Sequence, residues 1–435
     1  MRRFTSFLIL LFAVVVPATA ETNALPLTLH DAEELALKVH PRITIAELRA
    51  LVAKESDIEA RSPFFPSLTG NATVVGTDGD NNRVAAGGLN NPIIYDRGAF
   101  GLTVNWQVFD FGRTWNLLES ARLHARAAQK NVEATRAQIL LLVDFAYFSS
   151  LQAKAVRQVA EQTVNTRQLL RDQVALLAAN RLKSELDVSF AETALAEASV
   201  LMSRAENDEK AAQSRLAALL GDREGYVRLL ADEPPPAVLA DEVHLFIAAA
   251  LANRPEVARL SLERDAAKKF ADAERALHYP VISAIGVGGL LPEHNSKLPD
   301  NYLAAGLNLS LPIFNGWQFE SRRKAALLKS RVAAEELRGE EEIIISDVRV
   351  AWLNARNAAE RVGLTEKLFQ TASRSFELAE ARYKAGISSL AELTQSQLNK
   401  TTAEVALATA RYEQLIQRAV LDFQTGHKAG SQMAK

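Results

Sequence analysis

The side chains of this 435-residue chain that could carry out metal or acid–base chemistry are few and scattered. Seven histidines are present, and none of them stands at a spacing typical of a metal site. The sequence contains no nucleophile elbow and no phosphate-binding loop. It has no cysteine, which excludes disulfides, thiolate metal ligands and a cysteine nucleophile. We therefore expect no enzymatic activity, no cofactor and no metal centre.

The first 20 residues have the pattern of a secretory signal peptide. Two arginines at positions 2 and 3 precede an apolar run over residues 7–16, and a small-residue cleavage site follows at residues 18–20. The run is too short to cross a bilayer of roughly 30 Å as a helix. We expect residues 1–20 to be removed and the mature chain to lie outside the cytoplasm. An uncleaved anchor is the alternative.

Charge and hydropathy narrow the possible surroundings of the mature chain. The formal net charge of −2 gives no reason to expect a basic face for nucleic acid. Beyond residue 20 there is no run of about 18 consecutive apolar residues, which predicts that no helix crosses a membrane. Insertion into a membrane would then require strands that form a closed β-barrel, because unpaired backbone N–H and C=O groups are not tolerated in lipid.

The chain contains one structural unit twice. Pro41 and Pro66 recur 214 residues later as Pro255 and Pro280. Three further landmarks recur after 205 residues: Phe109-Asp110 as Phe314-Asn315, Ala146-Tyr147 as Ala351-Trp352, and Gly221 as Gly426. A long internal repeat constrains the fold more strongly than any local motif. Each copy is predicted to contain a long helix, two short strands, a very long helix and a shorter helix.

These landmarks predict the boundaries of the two repeats. The first repeat covers residues 21–221 and the second covers 241–426, with a linker at 222–240 and a flexible tail at 427–435. After an opening helix at about 28–61, the first repeat has strands at 67–77 and 98–109 and helices at 112–180 and 184–220. After an opening helix at about 241–277, the second has strands at 281–290 and 301–313 and helices at 317–385 and 389–424.

The longest predicted helices are rods rather than parts of a compact core. A helix of about 68 residues is about 100 Å long. Apolar and small residues recur along it at steps of three and four, which is typical of a coiled-coil seam. The two shorter helices of each repeat together match the long one in length. They could stack end to end beside it and form a wall of constant height, and an ordinary antiparallel coiled coil is the alternative.

The second predicted strand of each repeat alternates strictly between apolar and polar residues, and the first strand is a weaker version rich in Gly, Ala and Thr. Such alternation is typical of a strand with one apolar face. Each strand has about ten residues, the length that a tilted strand needs to cross a membrane. The side chains predicted to face lipid are Phe100, Leu102, Val104, Trp106, Leu303, Leu307 and Leu309.

Aromatic residues gather where the strands meet the helices. Those predicted to form a girdle at the membrane–water interface are Phe64, Phe65, Phe109, Tyr279, Phe314 and Trp317. An aromatic core beneath a water-soluble sheet is the alternative. Four strands are too few to close a membrane barrel, so several chains must share one. Three chains would supply twelve strands, although the sequence alone does not fix that number.

The chain resembles the TolC-type outer-membrane efflux proteins, also called outer membrane factors, over nearly all of its mature length. The resemblance rests on the duplicated layout, on the helix-to-strand pairs Phe65-Pro66 and Tyr279-Pro280, on the strand-to-helix junctions at 108–112 and 311–316, and on the helix turns at 181–188 and 384–393. It implies a mostly α-helical homotrimer with a coiled-coil barrel in the periplasm. Four strands from each chain would form a shared twelve-stranded β-barrel in the outer membrane of a Gram-negative bacterium.

The resemblance also implies a function. Proteins of this kind are passive exit ducts of tripartite efflux or type I secretion systems. A periplasmic adaptor, or membrane fusion protein, joins them to an inner-membrane pump that supplies the energy. Drugs, metals, small metabolites and polypeptides are all possible cargo, and the sequence favours none of them. A periplasmic adaptor with long helical hairpins and a non-enzymatic coiled-coil scaffold are the rival interpretations.

Two functional sites follow from the resemblance, both at the periplasmic tip. The residues implied in adaptor docking are Arg181, Leu182, Ser184, Gly386, Ile387, Ser388 and Ser389. Arg181 replaces the glycine that the family often has in the first turn. The residues implied in the periplasmic gate are Asp187, Glu392 and Gln395, the last standing where a second acid is usual. Favourable placement of Asp187 and Glu392 near a helix N-terminus is the simpler interpretation.

Overall fold

The computed structural model describes residues 26–76, 97–222, 229–294, 296 and 298–427. The predicted signal peptide and residues 428–435 of the predicted tail lie outside this part of the chain. The described chain is mostly helical with four antiparallel strands, which confirms the predicted fold class.

Among the described residues, the first repeat contains four α-helices and two strands. They are α1 (Leu29–Val39), α2 (Pro41–Arg61), β1 (Ser67–Val75), β2 (Arg97–Phe109), α3 (Arg113–Ala179) and α4 (Glu185–Leu219). The second repeat has the same order. Its elements are α5 (Val243–Asn253), α6 (Pro255–Arg275), β3 (Val281–His294), β4 (Asn301–Ser310), α7 (Gln318–Lys384) and α8 (Leu390–Gln424).

Each predicted opening helix is divided into two. His40 separates α1 from α2 with an extended backbone (φ −71°, ψ 122°), and Pro41 begins the next helix. Arg254 has nearly the same backbone angles (φ −69°, ψ 125°) before Pro255. A residue before proline is driven out of the helical region, while proline suits the first turn of a helix. The repeated prolines therefore mark helix starts.

The four strands form one open sheet in the order β1-β2-β3-β4. All neighbours are antiparallel, and the β2–β3 pairing joins the two repeats. Within the described residues, β1 and β4 each have one edge without a partner strand. The sheet therefore has two free edges, one belonging to each repeat.

The long helices lie between shorter ones. α3 packs against α2 and α4, and α7 packs against α5, α6 and α8, while α6 and α8 also contact α3. Both long helices have 67 residues and are about 100 Å long. Alanine dominates the packed face of α4, where Ala191, Ala194, Ala198, Ala205 and Ala212 are buried at steps of three, four or seven. Such small residues let helices approach closely along a coiled-coil seam.

One described helix, α3, is apolar enough to cross a membrane when judged by length and composition alone. An 18-residue window of α3 reaches a mean hydropathy of 1.4, and half of that window is buried in this chain. α3 still contains no unbroken run of 18 apolar residues, so the absence of a membrane-crossing helix stays a prediction. α3 contributes Ile139, Val143, Tyr147 and Leu151 to a core cluster with α1 and α8. Packing within the chain thus accounts for much of its apolar character.

Two equivalent aromatic residues hold the connection between the repeats. The Tyr147 hydroxyl lies 2.9 Å from the carbonyl oxygen of Leu27 and 2.7 Å from that of Ala231. Trp352, its counterpart in the second repeat, donates its indole N–H to the carbonyl oxygen of Ala240 at 3.1 Å. Burial raises the pKa of Tyr147 above its usual value, so the hydroxyl stays protonated as a donor. These bonds attach residues 229–240 to the long helices.

We expect Tyr147→Phe to lower the free energy of unfolding by about 1–3 kcal/mol, because it removes the hydroxyl donor from the part-buried Ala231 carbonyl. The Leu27 carbonyl still accepts a hydrogen bond from the Ala231 amide at 3.0 Å. The measurement is guanidinium denaturation of the detergent-solubilised protein, followed by tryptophan fluorescence. Tyr383→Phe is the matched control. The buried Tyr383 hydroxyl has no hydrogen-bond partner among the described residues, so its removal should cost nothing. Equal losses in the two variants would show that the Tyr147 hydrogen bonds do not stabilise the fold.

Candidate functional site: the helix turns and the strand surface

The turns α3–α4 and α7–α8 have the same backbone structure. In the first, the amides of Arg181 and Leu182 donate to the carbonyls of Ala178 and Leu177, both at 2.9 Å. In the second, Gly386 and Ile387 make the equivalent bonds to Tyr383 (3.0 Å) and Arg382 (2.9 Å). This pair of bonds is the Schellman motif, which satisfies the last carbonyls of a helix. The same bonding therefore closes both turns.

Arg181 adopts the conformation that Gly386 adopts in the other turn. Its φ is 60°, against 75° for Gly386, and both values lie in the left-handed region. That region costs an L-residue roughly 1–2 kcal/mol, whereas glycine enters it freely. The arginine that stands in place of the family's frequent glycine therefore keeps the turn shape at the cost of backbone strain.

The residue after each left-handed position is apolar and exposed. Leu182 and Ile387 are both 70 % exposed. Ser184 and Ser389 have a different role, since each caps the next helix by accepting a hydrogen bond at 3.2 Å from the amide three residues on. The Ser388 hydroxyl is buried and has no partner within the described chain. Of the predicted docking residues, Leu182 and Ile387 thus offer the apolar surface.

The predicted gate acids differ in their surroundings. Asp187 accepts hydrogen bonds from the Ser184 hydroxyl (2.8 Å) and amide (3.1 Å) through Oδ2, completing a capping box. These bonds hold the pKa of Asp187 below its usual value. Glu392 instead lies 3.6 Å from the Arg382 guanidinium across the turn. Gln395 donates to the Asn399 side chain at 3.0 Å. Asp187 is therefore engaged in its own turn, whereas the Glu392 side chain remains half-exposed.

The sequence interpretation did not identify the side-chain contacts that hold the two turns. The Lys183 ammonium lies 4.6 Å from the centre of the Tyr383 ring and so joins the first turn to the end of α7. Beneath it, residues of α3, α4, α7 and α8 form one apolar cluster that includes Val174, Ala191, Ala379, Leu390 and Leu393. The structure therefore brings both turns to the same end of the molecule. No helical spacing signals these pairs, because Lys183–Tyr383 joins two different hairpins and Arg382–Glu392 spans the α7–α8 turn.

The side chains predicted to face lipid are exposed and share one face of the sheet. Their exposure ranges from 37 % for Val104 to 89 % for Leu303. Leu102 pairs with Gly288, which in turn pairs with Leu303. Residues directly opposite in a sheet share a face, so bulky side chains of β2 and β4 flank small residues of β3. Trp106, Ala284 and Leu307 form a second row of the same kind.

The predicted girdle aromatics lie in small groups at the junctions. Phe111 contacts Phe109 and Tyr279, with ring centres 4.8 and 5.4 Å apart. Phe64 meets Trp115 edge-on at 6.4 Å, and Phe314 meets Trp317 in the same way at 6.3 Å. Phe65 is exposed and carries the Arg61 guanidinium over its ring at 6.0 Å. All six predicted residues are at least 38 % exposed, so the described chain does not bury them in a core.

A buried carboxylate orders the first strand-to-helix junction. Asp110 accepts hydrogen bonds from the amide and hydroxyl of Thr114, at 2.7 and 2.6 Å, and from the Gln107 side chain at 2.8 Å. Nearby, the buried carboxylate of Glu274 binds the Arg322 guanidinium through two bonds of 2.7 and 2.9 Å. Such bidentate pairs fix orientation as well as contact. They hold α3, α6 and α7 at defined angles to the sheet.

This chain is similar in sequence and in fold to proteins that are already known. The family model described as "Outer membrane efflux protein" matches residues 33–222 and 246–427. CyaE of Bordetella pertussis is 26 % identical over 391 residues, covering 85 % of this chain and 78 % of CyaE. The outer membrane protein TolC of Vibrio cholerae is 24 % identical over 322 residues, covering 70 % and 71 %. The structure of VceC from Vibrio cholerae has a TM-score of 0.78 at 19 % identity and covers 92 % and 96 %, which shows the same fold.

We expect Arg181→Gly to stabilise the first turn by about 1 kcal/mol, because glycine removes the strain of the left-handed backbone. Hydrogen exchange of peptides spanning residues 177–182, followed by mass spectrometry, should show roughly fivefold more protection. Gly386→Arg is the matched reverse change and should lower protection in the second turn by a similar factor. Unchanged exchange in both variants would mean that neither turn carries backbone strain.

Proposed function

Because the chain belongs to the outer membrane efflux protein family, we propose that it is one protomer of a trimeric duct whose twelve-stranded barrel is shared by three copies. The chain is an outer-membrane efflux channel of the kind used in tripartite efflux and type I secretion systems, with a periplasmic helical extension. Channels of this family are transport ducts and not enzymes. The predicted family, function and location are thereby confirmed.

The free edges of the sheet are the observation that carries the proposal. β1 and β4 have no outer partner strand in the described chain, and they run antiparallel to each other. An unpaired strand edge is not tolerated in lipid. Joining β4 of one copy to β1 of the next extends the sheet without changing its pattern. Three copies give twelve strands, a size within the range of outer-membrane barrels.

The helical part supports the same assembly. Apolar side chains on α2 and α7 are more than half exposed in the single chain, among them Leu51, Val52, Leu328 and Val332. A helix face of this kind needs a partner to remove it from water. Sister copies packed around one axis would supply that partner along the whole wall.

The outer ends of the helical hairpins are proposed to bind a periplasmic adaptor, which connects the duct to an inner-membrane pump. Leu182 and Ile387 support this role, because both present an exposed apolar side chain on a turn of the same shape. Around them lie Arg181 and Gly386, whereas Ser184 and Ser389 support the turns as helix caps. An apolar tip on a rigid turn is a suitable anchor for a partner helix.

The periplasmic gate is proposed to use Glu392 more than Asp187. The Glu392 side chain is 47 % exposed and its contact with Arg382, at 3.6 Å, is loose. Asp187 is engaged by Ser184, and Gln395 carries no charge. In a trimer, three copies of Glu392 around the axis would repel one another and attract cations. The gate ring would therefore hold one acid from each chain.

Disulfide crosslinking tests the shared barrel, since the chain has no cysteine of its own. Thr69→Cys on β1 is combined in turn with cysteine at Tyr302, Ala304, Gly306, Asn308 and Ser310 on β4, which the sheet register places on the same face as Thr69. β1 and β4 of one chain are about 14 Å apart across three strand spacings, so only different chains can be joined.

We expect at least one of these pairs to yield covalent trimers on a non-reducing gel. Thr69→Cys combined with Leu303→Cys or Leu307→Cys is the matched control, because these thiols would lie on opposite faces of the sheet. Monomers alone in all five test pairs would contradict the shared barrel.

The gate is tested by single-channel recording in a planar bilayer. Glu392→Gln should raise the concentration of a multivalent cation needed for half-block by about tenfold, because it removes one negative charge from each protomer at the constriction. Glu185→Gln removes an exposed charge from the first turn of α4 and should leave the block unchanged. Unaltered block in the Glu392 variant would remove this residue from the gate.

A further inference from the structure

A cavity of about 320 Å³ lies between α3, α4 and α8, apart from both turns and from the sheet. Its walls are mostly apolar and include Ala198, Leu201 and Leu398. One cation, Arg167, and one carboxylate, Glu197, also line it. Small-molecule sites typically combine such an apolar lining with a few polar groups, and this volume is at the lower end of their range.

Arg167 is a buried cation that lacks a full set of partners. The residue is only 4 % exposed. Its Nη2 donates to the carbonyl oxygen of Thr394 at 3.2 Å, while Nε and Nη1 are buried without a hydrogen-bond partner in the described structure. Burial lowers the pKa of Arg167 from its usual value, which is the expected response of a cation removed from water. The side chain that lines the cavity thus carries two buried donors without a hydrogen-bond partner.

The chain itself does not supply the missing acceptor. Glu197 is exposed and, within the described residues, forms no ion pair with Arg167. Its charge therefore acts on Arg167 only from a distance. The other polar groups of the cavity are threonine hydroxyls, among them Thr402, which donates its own hydrogen to the carbonyl of Leu398 at 2.8 Å. Neutral hydroxyls form weaker hydrogen bonds with a guanidinium than an anion does.

We propose that this cavity binds a small monocarboxylate with an apolar body. After a small rotation of the Arg167 side chain, the carboxylate oxygens accept hydrogen bonds from Nη2 and from one of the unpaired nitrogens, Nε or Nη1. Nη2 carries two hydrogens, so one of them can remain bonded to the Thr394 carbonyl. The planar guanidinium suits a carboxylate because the two groups can pair through parallel hydrogen bonds. The apolar body packs on Ala198, Leu201 and Leu398. The site binds a ligand and performs no bond-breaking step.

The position of the cavity gives the ligand a mechanical role. α3 and α4 form one helical hairpin, whereas α8 belongs to the other. The Arg167–Thr394 bond already connects the two hairpins above the turns. A molecule in the cavity contacts both hairpins and stabilises their present spacing, because it is bound only while the walls remain together. This proposal goes beyond the transport function and does not depend on the gate residues.

The test uses the full-length protein, purified in a maltoside detergent, with 3-phenylpropionate as the probe. Isothermal titration against a detergent blank measures the affinity, and 3-phenylpropan-1-ol serves as the uncharged analogue. We expect the acid to bind at least about tenfold more tightly than the alcohol, since charge-assisted bonds to a buried guanidinium distinguish the two. Arg167→Met should abolish that preference while keeping a similar side-chain volume. Arg171→Met is the matched control, because Arg171 lies one helical turn along α3, pairs with Asp172 and does not line the cavity.

Ala198→Leu provides a second variant that keeps the arginine and fills the cavity. It should weaken binding of the acid by at least about tenfold. If Arg167→Met fails to assemble, this variant alone tests whether the acid binds in the cavity. Acid and alcohol of equal affinity, or an acid affinity unchanged in Arg167→Met or Ala198→Leu, would overturn the proposal. The absence of measurable binding to the unaltered protein would overturn it as well.

Discussion

Unpaired backbone groups at the two free edges of the sheet set the requirements that the rest of the molecule meets. A strand that lies in lipid must have every N–H and C=O bonded, and a four-stranded sheet cannot achieve this alone. β1 and β4 belong to different repeats, so an edge of one repeat can meet an edge of the other from a sister copy. The bulky residues on one face and the small residues of β3 between them are compatible with a curved, closed surface of this kind.

The duplication lets each structural device be used twice with different residues. Tyr147 and Trp352 attach the connecting segment by different donors at equivalent positions. Arg181 and Gly386 adopt the same left-handed backbone in the two turns. His40 and Arg254 each interrupt a helix before a proline. At the turns and before the prolines the backbone geometry is kept while the side chain has changed, because φ, ψ angles constrain these positions more tightly than the identity of the residue does.

Much of the fold could be predicted from the sequence because its signals are periodic and long. The alternation in β2 and β4 and the proline-free stretch of α3 each depend on local chemistry alone. The division of the opening helices was harder to foresee, since proline is also tolerated within the first turn of a helix. The cavity at Arg167, the Lys183–Tyr383 contact and the anchoring by Tyr147 depend on which distant segments meet. No pattern in a single sequence encodes such long-range contacts, so these features are visible only in the three-dimensional structure.

The unlike residues in the two turns have a consequence for symmetry. Three copies of this chain would present six hairpin ends around one axis, alternating between a turn that carries the Arg181 cation and a turn that carries Gly386. Such a ring is threefold in chemistry but nearly sixfold in shape. A hexameric partner built from identical subunits would therefore meet two kinds of socket, and its subunits would bind in two classes of unequal strength.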